Sequence, residues 1–444
     1  MDMNRYREDS KKIIAHALDG VMPGEAVKSV LKDKTFGKGQ LYLVGVGKAA
    51  WRMTEAAIEV LSDRKIPYAK GIVLTKYGHV YGNLERVLCL EAGHPVPDEN
   101  SFKGTDEILE MTKALSPEDT VIFLLSGGGS ALFEKPIISG DELARVTDEL
   151  LAKGADIVEI NSVRKRLSKV KGGRFAQHCS PAKVVTIILS DIIGNPVDMI
   201  ASGPASPDSS TCEMAQNVIS KYGIYLSGKA KGAIDVETPK DLFNVETYIT
   251  GSVDELCDGA IEKAKEIGYE TVYLTSCLDC EASEAGKMFA SIGKTHARDN
   301  RKIAVIAGGE TVVHLKGTGK GGRNQEMALT VAMGIRGIDN AMFFSVGSDG
   351  TDGPTDAAGG IVDGNTIDKL EALGFDVQSE LDNNNSYELL KAVDGLVMTG
   401  PTGTNVNDFS VLLMGGKCKA DDMEREAWSK NTLKGERRSG WTAK

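Results

Sequence analysis

The feature that most constrains this chain is a repeated alternation. Short apolar runs stop at Gly, Ser or Asp, and stretches with helical spacing follow. The runs are Leu41–Val44, Ile72–Thr75, Val121–Leu125, Val184–Leu189, Thr271–Leu274, Ile303–Ile306, Met342–Val346 and finally Val411–Met414. Strands alternating with helices imply an α/β fold with parallel sheets and helices on both faces. In such sheets ligands bind beyond the carboxyl ends of the strands. The 50 glycines point to the same places, because many cluster directly after apolar runs. A first helical segment, about Arg5 to Leu31, puts Ile13, Ile14, Ala17 and Leu18 on one face.

The 444 residues are too many for one ordinary core. A polar stretch from Asp235 to Asn244 precedes a fresh start at Tyr248, which predicts domains over 1–240 and 241–416. The polar segment 417–444 carries no apolar period and reads as a disordered tail. The net charge of -11 argues against a general affinity for nucleic acid or an anionic membrane. It leaves room for a local Lys and Arg cluster that holds a small anion. The seven Cys show no disulfide spacing, and the lone Cys277/Cys280 pair reads as structural, so a reducing, cytoplasmic setting is expected. No signal peptide is expected from the charged start, and the apolar runs are far too short to span a bilayer. A homodimer is allowed.

Several strand ends carry chemistry. In Leu41-Tyr-Leu-Val-Gly45-Val-Gly47-Lys48 a strand enters a Gly-rich turn before a helix. Free backbone N–H groups make such a turn an anion site, and Lys48 adds a charge. A Walker A loop would need a different spacing. The turn is closer to a shortened GxGxxA dinucleotide fingerprint, but the next strand ends Thr75-Lys76-Tyr77-Gly78 without the acid that this reading wants. A capping turn with a solvated Lys is the bland alternative. Ser126-Gly127-Gly128-Gly129-Ser130 follows the third run, and its glycines let the backbone fold into a nest of N–H donors for a carboxylate or a phosphate. Asn161-Ser-Val-Arg164-Lys165-Arg166 and Lys169-Val-Lys171-Gly172-Gly173-Arg174 form a basic cluster, read either as a solvated face or as a means to steer an anion.

Asp191 stands at the end of the run Val184–Leu189, where a carboxylate can hold Mg²⁺, accept a hydroxyl proton, or simply cap a helix. Gly308-Gly309-Glu310-Thr311 ends another strand, and Gly321-Gly322-Arg323-Asn324-Gln325-Glu326 opens a helix, so Arg323 can reach a transferring phosphoryl group. Ser348-Asp349-Gly350-Thr351-Asp352-Gly353 is an acidic strand tip. It fits Mg²⁺ with phosphate oxygens or a plain Asx-turn, and Gly360 at the twelfth position rules out an EF-hand. Thr402-Gly-Thr404-Asn405-Val-Asn407-Asp408 adds small polar donors before the last strand. His94, in a loop with Pro95 and Pro97, reads as structural.

Taken in order, these stretches, together with Gly93-His94-Pro95-Val96-Pro97 and Ala201-Ser202-Gly203-Pro204, resemble the glycerate 2-kinase family of GckA/TtuD-like proteins, whose C-terminal half is the MOFRL domain. The resemblance spans nearly the whole chain, apart from the tail. It implies a Rossmann-like N-terminal domain of three α/β/α layers, a C-terminal α/β MOFRL-type domain and an active site in the cleft between them. It implies ATP and Mg²⁺ as cofactors and D-glycerate, phosphorylated at the 2-hydroxyl, as the small-molecule substrate. Lys48 and Arg323 are then expected as catalytic residues, with Asp191 acting on the hydroxyl. Asp191, Asp349 and Asp352 are the expected metal ligands. Gly45, Gly47, Ser126–Ser130, Arg164, Glu310, Gly321, Gly322, Asn324, Gln325, Asn405 and Asn407 are the expected binding residues. The rival expectation is an NAD(P)H-dependent reductase of hydroxypyruvate or tartronate semialdehyde, motivated by the GxGxxA-like turn. A sugar-acid or nucleotide-binding module without catalysis is the third.

Overall fold

The computed structural model describes residues 3–190, 194, 196–299 and 301–415. Two compact units emerge, each with a six-stranded sheet. The first sheet contains β1 (Leu41–Val46), β2 (Lys70–Lys76), β3 (Val87–Ala92), β4 (Thr120–Leu125), β5 (Lys183–Leu189) and β6 (Val245–Thr250). Its order is β3-β2-β1-β4-β5-β6, and every pairing is parallel. β4 is buried along its whole length, as expected of a strand covered on both faces. Val44, Val46, Phe123 and Leu125 turn to one face, where they pack with Ile108 and Met111 of helix Glu99–Met111 and with Phe175 of helix Arg174–Cys179. The opposite face takes helix Ala50–Asp63. Gly45 makes that approach possible, since a β-carbon there would stand 2.5 Å from Thr54 Oγ1. This strand order turns back on itself between β1 and β4, and a crevice opens there at the carboxyl ends.

The second sheet contains β7 (Glu270–Leu278), β8 (Ile303–Gly309), β9 (Ala341–Gly347), β10 (Gly359–Asp363), β11 (Leu396–Val397) and β12 (Asp408–Met414). Its order is β11-β10-β9-β12-β8-β7. The expectation of parallel pairing is corrected here, because only β7 and β8 pair in parallel. β8, helix Arg323–Gly334 and β9 form a crossover, but the last strand, β12, inserts between β8 and β9 and runs antiparallel to both. β10 then folds back antiparallel on β9. Because β12 runs the other way, it begins where its neighbours end: Asp408 pairs with Gly309 on one side and Gly347 on the other. Phe289, Phe343, Leu412 and the apolar residues of helix Arg323–Gly334 form the core on one face. On the other, the Ser10 hydroxyl of the first helix (Met3–Gly20) donates to Met342 Sδ at 3.5 Å.

The predicted boundary at 240/241 is also corrected. β6 completes the first sheet by pairing with β5, and Asn244 donates to the carbonyls of Ala176 and Ala182. The polar stretch before it is therefore an internal connection. The division falls at Glu255/Leu256, and the chain up to Leu18 clusters with the second unit. The predicted tail, 417–444, lies outside the described residues.

Candidate active site

In the first unit, the ends of β1 and β4 lie side by side, with Val46 paired to Leu125. The turn after β1 needs Gly47: its φ is +118°, and a β-carbon there would stand 2.3 Å from Ser126 Oγ. Backbone bonds lock the two tips. Ser126 N–H donates to the Val46 carbonyl at 2.9 Å, Lys48 N–H donates to the Gly127 carbonyl at 2.9 Å, and Ala49 N–H donates to Ser126 Oγ at 3.0 Å. The Lys48 stem and the His94 ring both lie against Gly128, where a β-carbon would be 3.3 Å from Lys48 Cγ and 3.2 Å from His94 Nε2. Among the described residues Lys48 has no ion-pair partner. Burial, then the charges of Lys48 and Lys76, hold His94 below the usual imidazole range, so the ring is neutral at pH 7.

The far end of the Ser126–Ser130 turn is tied to a hydroxyl chain. Ser130 Oγ lies 3.2 Å from Ser202 Oγ, which donates to Asn161 Oδ1 at 3.0 Å. Ala201 (φ 50°) and Ser202 (φ 61°) are both left-handed. Such strain costs roughly 1 kcal/mol or more per residue and clusters at functional sites. The peptide N–H groups of Gly172 and Gly173 hold this segment by donating to the carbonyls of Ser202 and Gly203. The basic cluster is neither a solvated face nor a loose lure for anions. Lys165 pairs with Asp208 at 2.9 Å and Asp198 at 3.3 Å, and the fully buried Arg166 pairs with Glu237 at 3.0 Å. Only Arg164 and Lys171 reach the turn, and both donate to the Ser130 carbonyl, at 3.1 and 2.8 Å. Arg164 comes from helix Ile157–Leu167, whose start is fixed by an Asp156/Glu159 capping box. Burial pushes the Lys171 ammonium down to about 8 against the pull of Glu134.

In the second unit, Arg323 is the first residue of its helix. Its Nε and Nη2 donate to the two oxygens of Asp408, at 2.5 and 3.0 Å, and Nη1 pairs with Glu310 at 3.0 Å. Burial opposes the Arg323 charge, but Asp408 and Glu310 outweigh it and hold the guanidinium firmly protonated. Glu310 is half exposed, and its N–H donates to the Leu278 carbonyl at 2.7 Å. Asp352 is buried beneath Gly322, where a β-carbon would stand 2.3 Å from Asp352 Cγ. Its oxygens accept from Asn324 N–H at 3.2 Å and Gln325 N–H at 2.9 Å, and burial pushes its carboxyl up to about 6.

Asp352, expected as a metal ligand, has its oxygens on the first N–H groups of helix Arg323–Gly334. Asp349 forms the Asx-turn, its Oδ1 accepting from Thr351 N–H and Oγ at 2.9 and 3.0 Å. Among the described residues no group of three or more His, Cys, Asp or Glu is placed to hold a metal. Asp191 lies outside the described residues. Asn324 and Gln325 are fully buried; Ser345, Asp352 and Thr355 engage their side chains, and Gln325 Oε1 has no hydrogen-bond partner among the described residues. Gly321 packs on Ser386, Asn405 is exposed, and Asn407 is a left-handed residue whose carbonyl accepts from Ser348 N–H at 3.0 Å. Sequence reasoning missed Asp408 as the partner of Arg323. The available signal was an acid at the start of the last apolar run. It also passed over His94, whose stiff loop gave no hint of Lys48.

Each of the two α/β units carries a cation beside a glycine-rich turn, Lys48 after β1 and Arg323 at the start of its helix, an arrangement suited to anions. The family model described as a domain of unknown function (DUF4147) matches residues 9–234, and the MOFRL family matches 303–408. A D-glycerate 2-kinase of Thermotoga maritima is 52% identical over 409 residues, covering 91% of this chain and 97% of that protein. A crystal structure of glycerate kinase from Thermotoga maritima matches with a TM-score of 0.89 at 51% identity, over 93% of this chain and 100% of that one. A protein of Agrobacterium vitis named a putative hydroxypyruvate reductase is 36% identical over 389 residues, 85% of this chain and 100% of its own. The chain belongs to the glycerate kinase family.

Proposed function

We propose that this enzyme transfers the γ-phosphoryl group of ATP to the 2-hydroxyl of D-glycerate, giving 2-phosphoglycerate and ADP. The observation that carries the reading is Lys48. It lies against the Ser126–Ser130 turn at the point where the strand order reverses, with no carboxylate paired to it among the described residues. A cation left available beside backbone donors suits a phosphate or a carboxylate. The relatives named as glycerate kinases supply the substrate.

Positioning and charge neutralisation dominate phosphoryl transfer. We assign that neutralisation to Lys48 and Arg323. Two of the five Arg323 N–H donors bond to Asp408, and Nη1 faces Glu310 as an ion pair, so the remaining donors are available to phosphoryl oxygens. Asp191 is assigned to orient or deprotonate the substrate hydroxyl. Asp349 is assigned as an oxygen ligand of Mg²⁺, through Oδ2, because both of its internal bonds fall on Oδ1. Held there and by nucleotide phosphates, the ion would offset charge on the phosphates. The turn Ser126–Ser130, with Arg164, holds an anionic group of one substrate.

The test is a reaction with D-glycerate, ATP and Mg²⁺ whose product is resolved as 2- or 3-phosphoglycerate. The 2-isomer is expected. The 3-isomer would keep the kinase and reverse the substrate's orientation. NADPH consumption on hydroxypyruvate with no phosphorylated product would transfer the assignment to the reductase named for the Agrobacterium relative.

A further inference from the structure

Beneath the Ser126–Ser130 turn lies a buried charge cluster of which the proposed reaction uses only Arg164. Lys171 and Glu134 are both fully buried. Lys171 Nζ is 3.5 Å from Glu134 Oε2, and Arg164 Nη2 is 3.8 Å from the same oxygen. Among the described residues neither Glu134 oxygen accepts a hydrogen bond. The cations spend their hydrogen bonds elsewhere: both donate to the Ser130 carbonyl, and Lys171 also donates to the Phe133 carbonyl at 3.1 Å. A carbonyl oxygen has two lone pairs, so these two cations saturate Ser130.

That arrangement is poor economy for stability alone. A buried ion pair gains little over apolar packing unless its remaining groups are hydrogen-bonded, and here both cations stand at 3.5 Å or more from the carboxylate. It makes sense as a fixture of the turn. A peptide carbonyl facing a bound anion repels it, and two cations on the Ser130 oxygen fix the direction in which that peptide points. The cluster also carries two positive charges against one negative, an excess that an anion at the turn would balance. Lys171 belongs to the same loop as Gly172 and Gly173, which hold the strained Ser202 segment. The Lys171 side chain therefore holds one edge of the hydroxyl chain, and the peptide groups that follow it hold the other.

We infer that Lys171, with Glu134 as its buried counter-ion, is a positioning residue that sets the Ser126–Ser130 turn to receive an anion. The inference rests on the proposed kinase reading. The anion is either the carboxylate of the hydroxy acid or a phosphate of the nucleotide, and the kinetics of the two substrates distinguish these sources.

The decisive comparison is between wild type and the double variant Glu134→Gln/Lys171→Met, which removes both charges at nearly constant shape. Its melting temperature should fall by several degrees at most: the two charges leave together, but the Phe133 carbonyl loses its Lys171 donor. The KM of one substrate should rise by about tenfold or more, while that of the other stays within about twofold, as expected for a lost oriented contact to one ligand. A rise for D-glycerate places the carboxylate at the turn, and a rise for ATP places a phosphate there. Wild-type KM values for both substrates in the folded double variant would overturn the inference. Should the double variant melt too low to assay, Lys171→Met alone decides. It takes one of the two cations off the Ser130 carbonyl, so the KM of one substrate should rise about tenfold, and wild-type KM values for both substrates in the folded single variant would overturn the role. If wild type phosphorylates no D-glycerate, the kinase reading fails on its own, and the same comparison is made on dissociation constants for ATP and D-glycerate.

Discussion

The two strand-tip sets handle their cations in opposite ways. Lys48 stands among glycines, hydroxyls and a neutral His94, without an ion pair among the described residues. Arg323 is held by Asp408 on two nitrogens and by Glu310 on a third. A flexible ammonium left unpaired keeps its charge for a ligand, at the cost of an undefined position. A planar guanidinium fixed by two carboxylates is aimed in advance, and only its remaining donors are free. The first arrangement contributes almost nothing to folding. The second is part of the unit's internal structure.

Alanine substitution should break this contrast most sharply. Lys48→Ala is expected to lower kcat by about 10³-fold while leaving the melting temperature unchanged, since no pair is lost. Arg323→Ala should lower kcat by about 10³-fold or more and also destabilise the fold by about 3 kcal/mol, the low end for a broken buried pair, because Asp408 is left behind without its partner. Thermal melts beside steady-state kinetics check both. Equal melting temperatures for the two variants would remove the distinction.

A second measurement sharpens it through pH. The Asp352 carboxyl is pushed up to about 6 from an ordinary value of 3.8. Between these values the folded protein holds a proton that the unfolded chain has lost, so this residue's contribution to stability falls as pH rises. The expected loss across that window is about 3 kcal/mol relative to Asp352→Asn, read from denaturant unfolding of both proteins at pH 4 and pH 7. A constant difference between the two proteins would show that Asp352 is ionised throughout.

Glycine substitutions come next. Gly47→Ala meets Ser126 and Gly322→Ala meets Asp352, each at 2.3 Å. Both should cost about 1–3 kcal/mol of stability. Gly47→Ala should also raise KM, because it separates the β1 and β4 tips. The smallest effect is expected at His94. His94→Ala removes one neutral ring beside Lys48, so activity should fall only a few-fold, in line with about 1 kcal/mol for a neutral contact. A loss as large as that of Lys48→Ala would make the imidazole a participant in the chemistry.

Much of the first unit was legible in the sequence. Its inner strands are buried on both faces and therefore read as continuous apolar runs, and its ligand turns follow those runs directly. β3 escaped notice because it is an edge strand, half exposed, with the mixed sequence Val-Leu-Cys-Leu-Glu-Ala. The second unit was less legible. The run Val411–Met414 was readable as a strand, but nothing local says that it inserts between β8 and β9 and runs against them. Asp408 gains its meaning only from that insertion. The burial of Lys165, Arg166 and Lys171 was hidden for a related reason: their partners, Asp208, Glu237 and Glu134, lie at least 37 positions away along the chain. Composition makes a charge run look solvated until its distant counter-ions are placed.

The insertion of β12 has a consequence for how the molecule is made. The first helix is synthesised at the outset, and its partner sheet gains the strand between β8 and β9 only when residue 414 has left the ribosome. The first unit, by contrast, can assemble nearly all of its sheet as its strands emerge. A growing chain therefore carries the Lys48 turn long before Arg323 has Asp408 to fix it. Assembly of the second unit waits for contacts spanning almost the whole sequence, the kind that form slowly. Whatever its finished activity, a nascent chain holds half of its charged equipment in place and cannot aim the other half until synthesis is nearly done.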